Sequence, residues 1–227
     1  MEPVARPRVK ICCISSAEEA SLAVRYGASA LGLVSSMPSG PGVIPDNLIA
    51  EIAATVPPGV ATFLLTSAQD AETIIAQQRH AGVNTLQICD RLTGGSYEDR
   101  RDALPGIKLV QVVHVTGPES LDEARMVATQ VDAILLDSGN QSLAVKELGG
   151  TGRVHDWTVS RAIRAAIDIP LYLAGGLNAS NVAEAIDAVR PFALDICSGV
   201  RTNGWLDEAK LGAFMRAAGA LGQDAQV

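Results

Sequence analysis

LYLAGGLNAS, from Leu171 to Ser180, and ALDICSGVRT, from Ala193 to Thr202, each carry a short apolar stretch that breaks into a glycine-bearing turn ahead of a helix-like segment. Glycine at such a break leaves backbone N–H groups bare, and a following helix amino terminus favours negative charge. Gly175-Gly176 and Ser198-Gly199 are therefore candidate anion contacts. Other apolar runs end on groups that can donate, accept or carry protons: Cys12, the Cys89-Asp90 pair, Asp137 and Cys197. A metal centre from Cys12, Cys89, Cys197 and Asp137 is not expected, because no C-x-x-C pair supplies two close ligands.

The elements that must position these groups alternate along the chain. Strand-like runs are RVKICCI, ALGLV, ATFLLTS, TLQICD, KLVQVVHV, DAILLDS, LYLAGG and ALDICSG. Between them lie helix signals: a Ser16-x-x-Glu19 capping box, Gly27 and Gly82 as helix stops, Pro118 at a first helical position and Asp156 as a cap. Eight strand–helix units within 227 residues predict one (β/α)8 barrel domain spanning 1–227, with its site at the carboxyl ends of the strands. Period-two alternation puts Lys10 and Cys12 on one face, and Asp195 with Cys197, so Lys10 and Asp195 are expected to pair between the first and last strands. The same rule points Cys13 away from Cys12.

Composition limits what the barrel can bind. The chain is 48% hydrophobic with a formal net charge of −7 and no run of basic residues, which argues against nucleic acid or a polybasic membrane contact. No stretch reaches the roughly 18 apolar residues of a membrane span, and MEPVARPRVK has no signal-peptide core. The expectation is a cytoplasmic protein with four free thiols, acting on a small molecule. The oligomeric state is not legible.

VKICCI, ILLDS, GGTGRVHDW, LAGGLNASNVAEAI and LDICSGV occur in an order and spacing that resemble the phosphoribosylanthranilate isomerase family over nearly the whole chain. The resemblance implies a cofactor-free Amadori rearrangement of a phosphoribosylated aromatic amine, with Cys12 as general base and Asp137 as general acid. It also implies phosphate binding at Gly175, Gly176, Ser198 and Gly199. Gly150, Thr151 and Gly152 form a loop suited to folding over the sugar, and Cys89 and Asp90 stand at a strand end where substrate would pass. The chemistry agrees: opening an aminofuranose needs a proton on the ring oxygen, and forming the ketose needs one removed from C2.

Three positions depart from the family pattern. Gly42 falls where the family places an arginine for the anthranilate carboxylate, Cys89-Asp90 replaces His-Gly, and Cys13 replaces the glycine after the base. Asp90, if it faced the site, would repel a carboxylate. These departures favour a second reading, a paralogous isomerase or phosphosugar-binding protein for another ligand, with Arg91 as one replacement cation and Gly42→Arg as the expected repair. His80 and His114 are expected to be peripheral and His155 to approach the ligand, while Trp157 and Trp205 are expected to pack helices on the barrel.

Overall fold

The computed structural model describes residues 6–150 and 152–219. Eight parallel strands close into a barrel in chain order. They are β1 (Arg8–Ile11), β2 (Ala30–Val34), β3 (Ala61–Thr66), β4 (Thr85–Ile88), β5 (Lys108–His114), β6 (Ala133–Asp137), β7 (Leu171–Leu173) and β8 (Ala193–Ile196). The helices that follow them are α1 (Ala17–Arg25), α2 (Asp46–Thr55), α3 (Ala71–Ala81), α4 (Tyr97–Ala103), α5 (Ser120–Ala128), α6 (Trp157–Ala166), α7 (Val182–Val189) and α8 (Glu208–Ala217). A two-residue-per-strand hairpin, β9 (Arg201–Thr202) and β10 (Trp205–Leu206), precedes α8.

Alternation along the strands separates two cores. One set of positions, with Ile11, Leu31, Leu64, Leu86, Leu136 and Leu194, packs outward with the helices. The other, with Ala30, Val34, Phe63, Leu65, Val110, Val112, Ala133, Leu135 and Ala174, packs together with Cys12, Cys13 and Cys89. The barrel closes where Lys10 registers with Asp195. Lys10 Nζ donates to Asp195 Oδ1 at 2.9 Å and lies 5.2 Å from the centroid of the Phe63 ring. Burial alone would pull the Lys10 ammonium down, but Asp195 first and then the Cys12 sulfur hold it above its ordinary range.

Local signals set the helix ends. Ser16, Asp70, Ser96, Asp156 and Asp207 each accept a backbone N–H at a helix start, and Gly82 adopts the left-handed cap that ends α3. Three expectations need correction. Glu19 does not complete a capping box; its carboxylate takes the N–H of Ser15 and Leu206 and both terminal nitrogens of Arg201. Pro118 opens a turn, and α5 begins at Ser120. Trp157 packs against the outer core as expected, whereas Trp205, at the hairpin, is 68% exposed.

Candidate active site

A cavity opens at the carboxyl ends of the strands, where barrels of this kind hold their sites. Cys12, Cys89, Asp137, Gly150, Gly152, Gly175, Gly176 and Ser198 all line it. Thr151 lies outside the described residues. Gly199 and Asp90 are not part of the lining.

Cys12 stands one residue past β1, its N–H bonded to Ile196 O at 2.8 Å, so the β1–β8 ladder positions it. Asp137 ends β6 and is buried; Oδ1 accepts the Ser138 N–H at 2.7 Å. Burial raises the Asp137 carboxyl above the usual range against the opposing pull of that N–H and of nearby His114. The glycine-rich loop reaches this acid directly: a Cβ on Gly149, whose φ is +137°, would fall 2.7 Å from Asp137 Oδ2. The loop also meets the segment after β2, since a Cβ on Gly150 would lie 2.5 Å from Pro41 Cδ, and Ser39 Oγ donates to Lys146 O at 2.6 Å. Two loops thus join over one side of the cavity.

At the β7 end, Gly175 (φ +86°) and Gly176 (φ +64°) turn the chain. Their N–H groups have no acceptor among the described residues, whereas Asn181 Nδ2 donates to Gly176 O at 3.0 Å and fixes the peptide. A Cβ on Gly176 would sit 2.6 Å from Arg153 C, and one on Gly175 3.0 Å from His155 Nδ1. His155 supports the turn from behind. Its Nε2 contacts Ser160 Oγ at 2.7 Å, and burial pushes the imidazole down to about 4. Arg153 pairs with Glu147.

The departures from the family pattern take a different form in three dimensions. Cys13 does not point away from the site: it has left the strand, adopts φ +63°, and lines the cavity beside Cys12. A Cβ on Gly42 (φ +82°) would fall 2.4 Å from Cys13 Cβ. The cysteine occupies the space a side chain at 42 would require, so the two departures are one structural event. Asp90 delivers no free charge to the site, because Lys146 Nζ lies 2.5 Å from Oδ2 and Arg91 N 2.8 Å from Oδ1. Arg91 is directed outward to Glu123 at 3.1 Å. No lysine or arginine is among the described lining residues.

Met37, Ser39, Pro41, Leu65, Gln87 and Leu148 also line the cavity and were not picked out by sequence. Gln87 had a usable signal: it shares a face with Cys89 by alternation, and its buried Oε1 lacks a partner among the described residues. Leu65 reaches the cavity from β3, whereas Met37, Ser39, Pro41 and Leu148 depend on which loops meet.

A model of N-(5'-phosphoribosyl)anthranilate (PRA) isomerases matches residues 9–217. The chain is 36% identical over 213 residues to N-(5'-phosphoribosyl)anthranilate isomerase 2 of Methanosarcina mazei, covering 93% of each protein. It is 37% identical over 215 residues to the Haloferax volcanii isomerase, covering 93% of this chain and 92% of the relative. Crystallographic phosphoribosylanthranilate isomerase from Thermotoga maritima superposes with a TM-score of 0.78 at 31% identity, over 95% of this chain and all of that one. A phosphoribosyl anthranilate isomerase in complex with reduced 1-(o-carboxyphenylamino)-1-deoxyribulose 5-phosphate gives 0.76 at 29% identity, again over 95% of this chain. With matches along nearly its full length and the same closed barrel, the chain belongs to the N-(5'-phosphoribosyl)anthranilate isomerase family.

Proposed function

We propose that the protein isomerises N-(5'-phosphoribosyl)anthranilate to the corresponding 1-deoxyribulose 5-phosphate, with residues 1–227 working as one barrel domain in the cytoplasm. The observation that carries the reading is a single cavity lined by Cys12, Asp137 and the Gly175-Gly176 turn with its unspent N–H groups. Asp137, whose carboxyl burial pushes above its usual range, gives its proton to the ring oxygen. The C1–O bond breaks and the nitrogen lone pair forms an iminium. Cys12 as thiolate removes the C2 proton, the C–H electrons neutralise the iminium, and the resulting enolamine settles to the ketose. Gly175, Gly176 and Ser198 hold the phosphate; backbone donors suit an acidic protein whose cavity lining offers no cation.

Turnover followed by loss of substrate fluorescence tests the assignment. Cys12→Ser and Asp137→Asn should each lower kcat by at least ~10²-fold, with a product analogue still bound. Near-wild-type turnover in either variant removes that residue from the mechanism.

The paralogue reading draws on one observation, Cys13 filling the space beside Gly42, where the family resemblance places a carboxylate-binding arginine. A phosphorylated aminosugar lacking a carboxylate would fit that cavity end. Comparing phosphoribosylanthranilate with a decarboxylated analogue separates the two: a clear preference for the carboxylate supports the first reading.

A further inference from the structure

Three of the four cysteines meet at the seam where the barrel closes, and the proposed chemistry uses only Cys12. Cys13 follows β1 and Cys197 follows β8; both line the cavity, so a small solute that enters the site reaches them. Cys197 Sγ and Cys13 Sγ lie 2.7 Å apart, within hydrogen-bonding distance of one another. That separation is less than an ångström beyond a disulfide bond of ~2.05 Å. The two residues are 184 positions apart in sequence, so the contact is made by the closed barrel and not by local chain geometry.

We propose that Cys13 and Cys197 form a redox-active dithiol, a modification site at the mouth of the cavity that closes to a disulfide under a hydroperoxide. The two sulfurs are unequally prepared. Hydrogen bonding from Cys13, opposed by burial and aided by the Arg201 cation, lowers Cys197 below the ordinary thiol range. Contacts with the sulfurs of Cys12 and Cys197, followed by burial, push Cys13 up. Cys197 is thus the attacking thiolate and Cys13 the resolving thiol.

The steps balance. Cys197 thiolate attacks one peroxide oxygen, the O–O bond breaks, and hydroxide leaves, giving a sulfenic acid. Cys13 sulfur then attacks Cys197 sulfur, the S–O bond breaks, and the oxygen departs as water with the Cys13 proton. Two thiols are oxidised by two electrons and one peroxide becomes two waters. The bridge has a structural consequence. Cys13 Sγ lies 3.7 Å from Pro41 O and its Cβ fills the space beside Gly42, so a bridge that takes the thiol proton leaves Pro41 O, in the loop after β2, without that donor.

The bridge itself is read without any activity. The whole protein is treated with hydrogen peroxide, alkylated, digested and analysed by mass spectrometry, alongside a titration of free thiols. The expected result is a Cys13–Cys197 linked peptide, a fall from four free thiols to two, and full return with dithiothreitol. A count that stays at four, a Cys12–Cys13 link, or sulfinic acid at Cys197 without a bridge would overturn the proposal. The regulatory arm rests on the isomerase reading: peroxide should lower turnover at least tenfold, reversibly, and Cys197→Ser, normalised to its own untreated rate, should resist. Equal inactivation of that variant would mean that oxidation acts through Cys12 alone and would sink the switch. A bridge that forms in a protein without turnover counts against the isomerase reading and leaves the dithiol standing.

Discussion

The two ends of the cavity both depend on glycines with positive φ, yet for opposite reasons. At the β7 end, Gly175 and Gly176 keep Cβ atoms away from Arg153 and His155 and leave two N–H groups with no acceptor among the described residues. At the mouth near β2, Gly42 makes room for a side chain of the same protein, Cys13. The first arrangement offers backbone donors, which a change of side chains elsewhere scarcely touches. The second gives up a position from which a side chain could reach the ligand. Backbone donors and side-chain contacts at the two ends can therefore change independently.

The comparison can be broken most forcefully at the backbone end. Gly176→Val places a branched side chain against Arg153 and Val154, where even a Cβ would lie 2.6 Å from Arg153 C. Affinity for ribose 5-phosphate, measured by calorimetry, should fall by ~100-fold, or ~2.7 kcal/mol. Unchanged affinity would mean that phosphate binds elsewhere.

A smaller effect sharpens the contrast at the other end. Gly42→Arg alone should not repair a carboxylate contact, because its Cβ would collide with Cys13 and its φ of +82° disfavours any side chain. It should lower both Tm and kcat/KM. Cys13→Gly combined with Gly42→Arg frees the space and should exceed the Gly42→Arg variant by ~10-fold in kcat/KM on phosphoribosylanthranilate, through a charge-assisted pair. Additive behaviour of the two substitutions would show that positions 13 and 42 are independent.

The mildest test concerns the support of the Gly175-Gly176 turn. His155 is depressed from 6.5 to about 4, so its neutral form is the one that folds. The associated stability is complete above pH 6.5 and is lost as pH falls toward 4, at up to about 1.4 kcal/mol per pH unit. Thermal melts of His155→Gln should show a shallower acid limb than wild type over that window. Parallel limbs would remove His155 from the acid response.

Much of this was legible in one dimension. Apolar runs alternating with capped helices predicted the barrel, because period two and period 3.6 report directly on which face is buried. The Lys10–Asp195 pair also followed from alternation on strands that closure makes neighbours. Alternation failed at Cys13, since it holds only while the strand lasts, and β1 ends at Ile11. It was silent about Asp90, whose neutralising partner, Lys146, comes from a loop 56 positions away.

The residue types at strand ends, the glycines able to turn without a side chain, and the order of elements are properties of the sequence itself, set by local propensity and short-range period. Only the closed barrel decided that Cys13 would meet Cys197, that Gly42 would yield to Cys13, and that Gly149 would lie over Asp137. Those contacts join segments far apart in the chain. Their geometry depends on where β1 meets β8 and on how the loops after β2 and β6 share one opening, which no local pattern encodes.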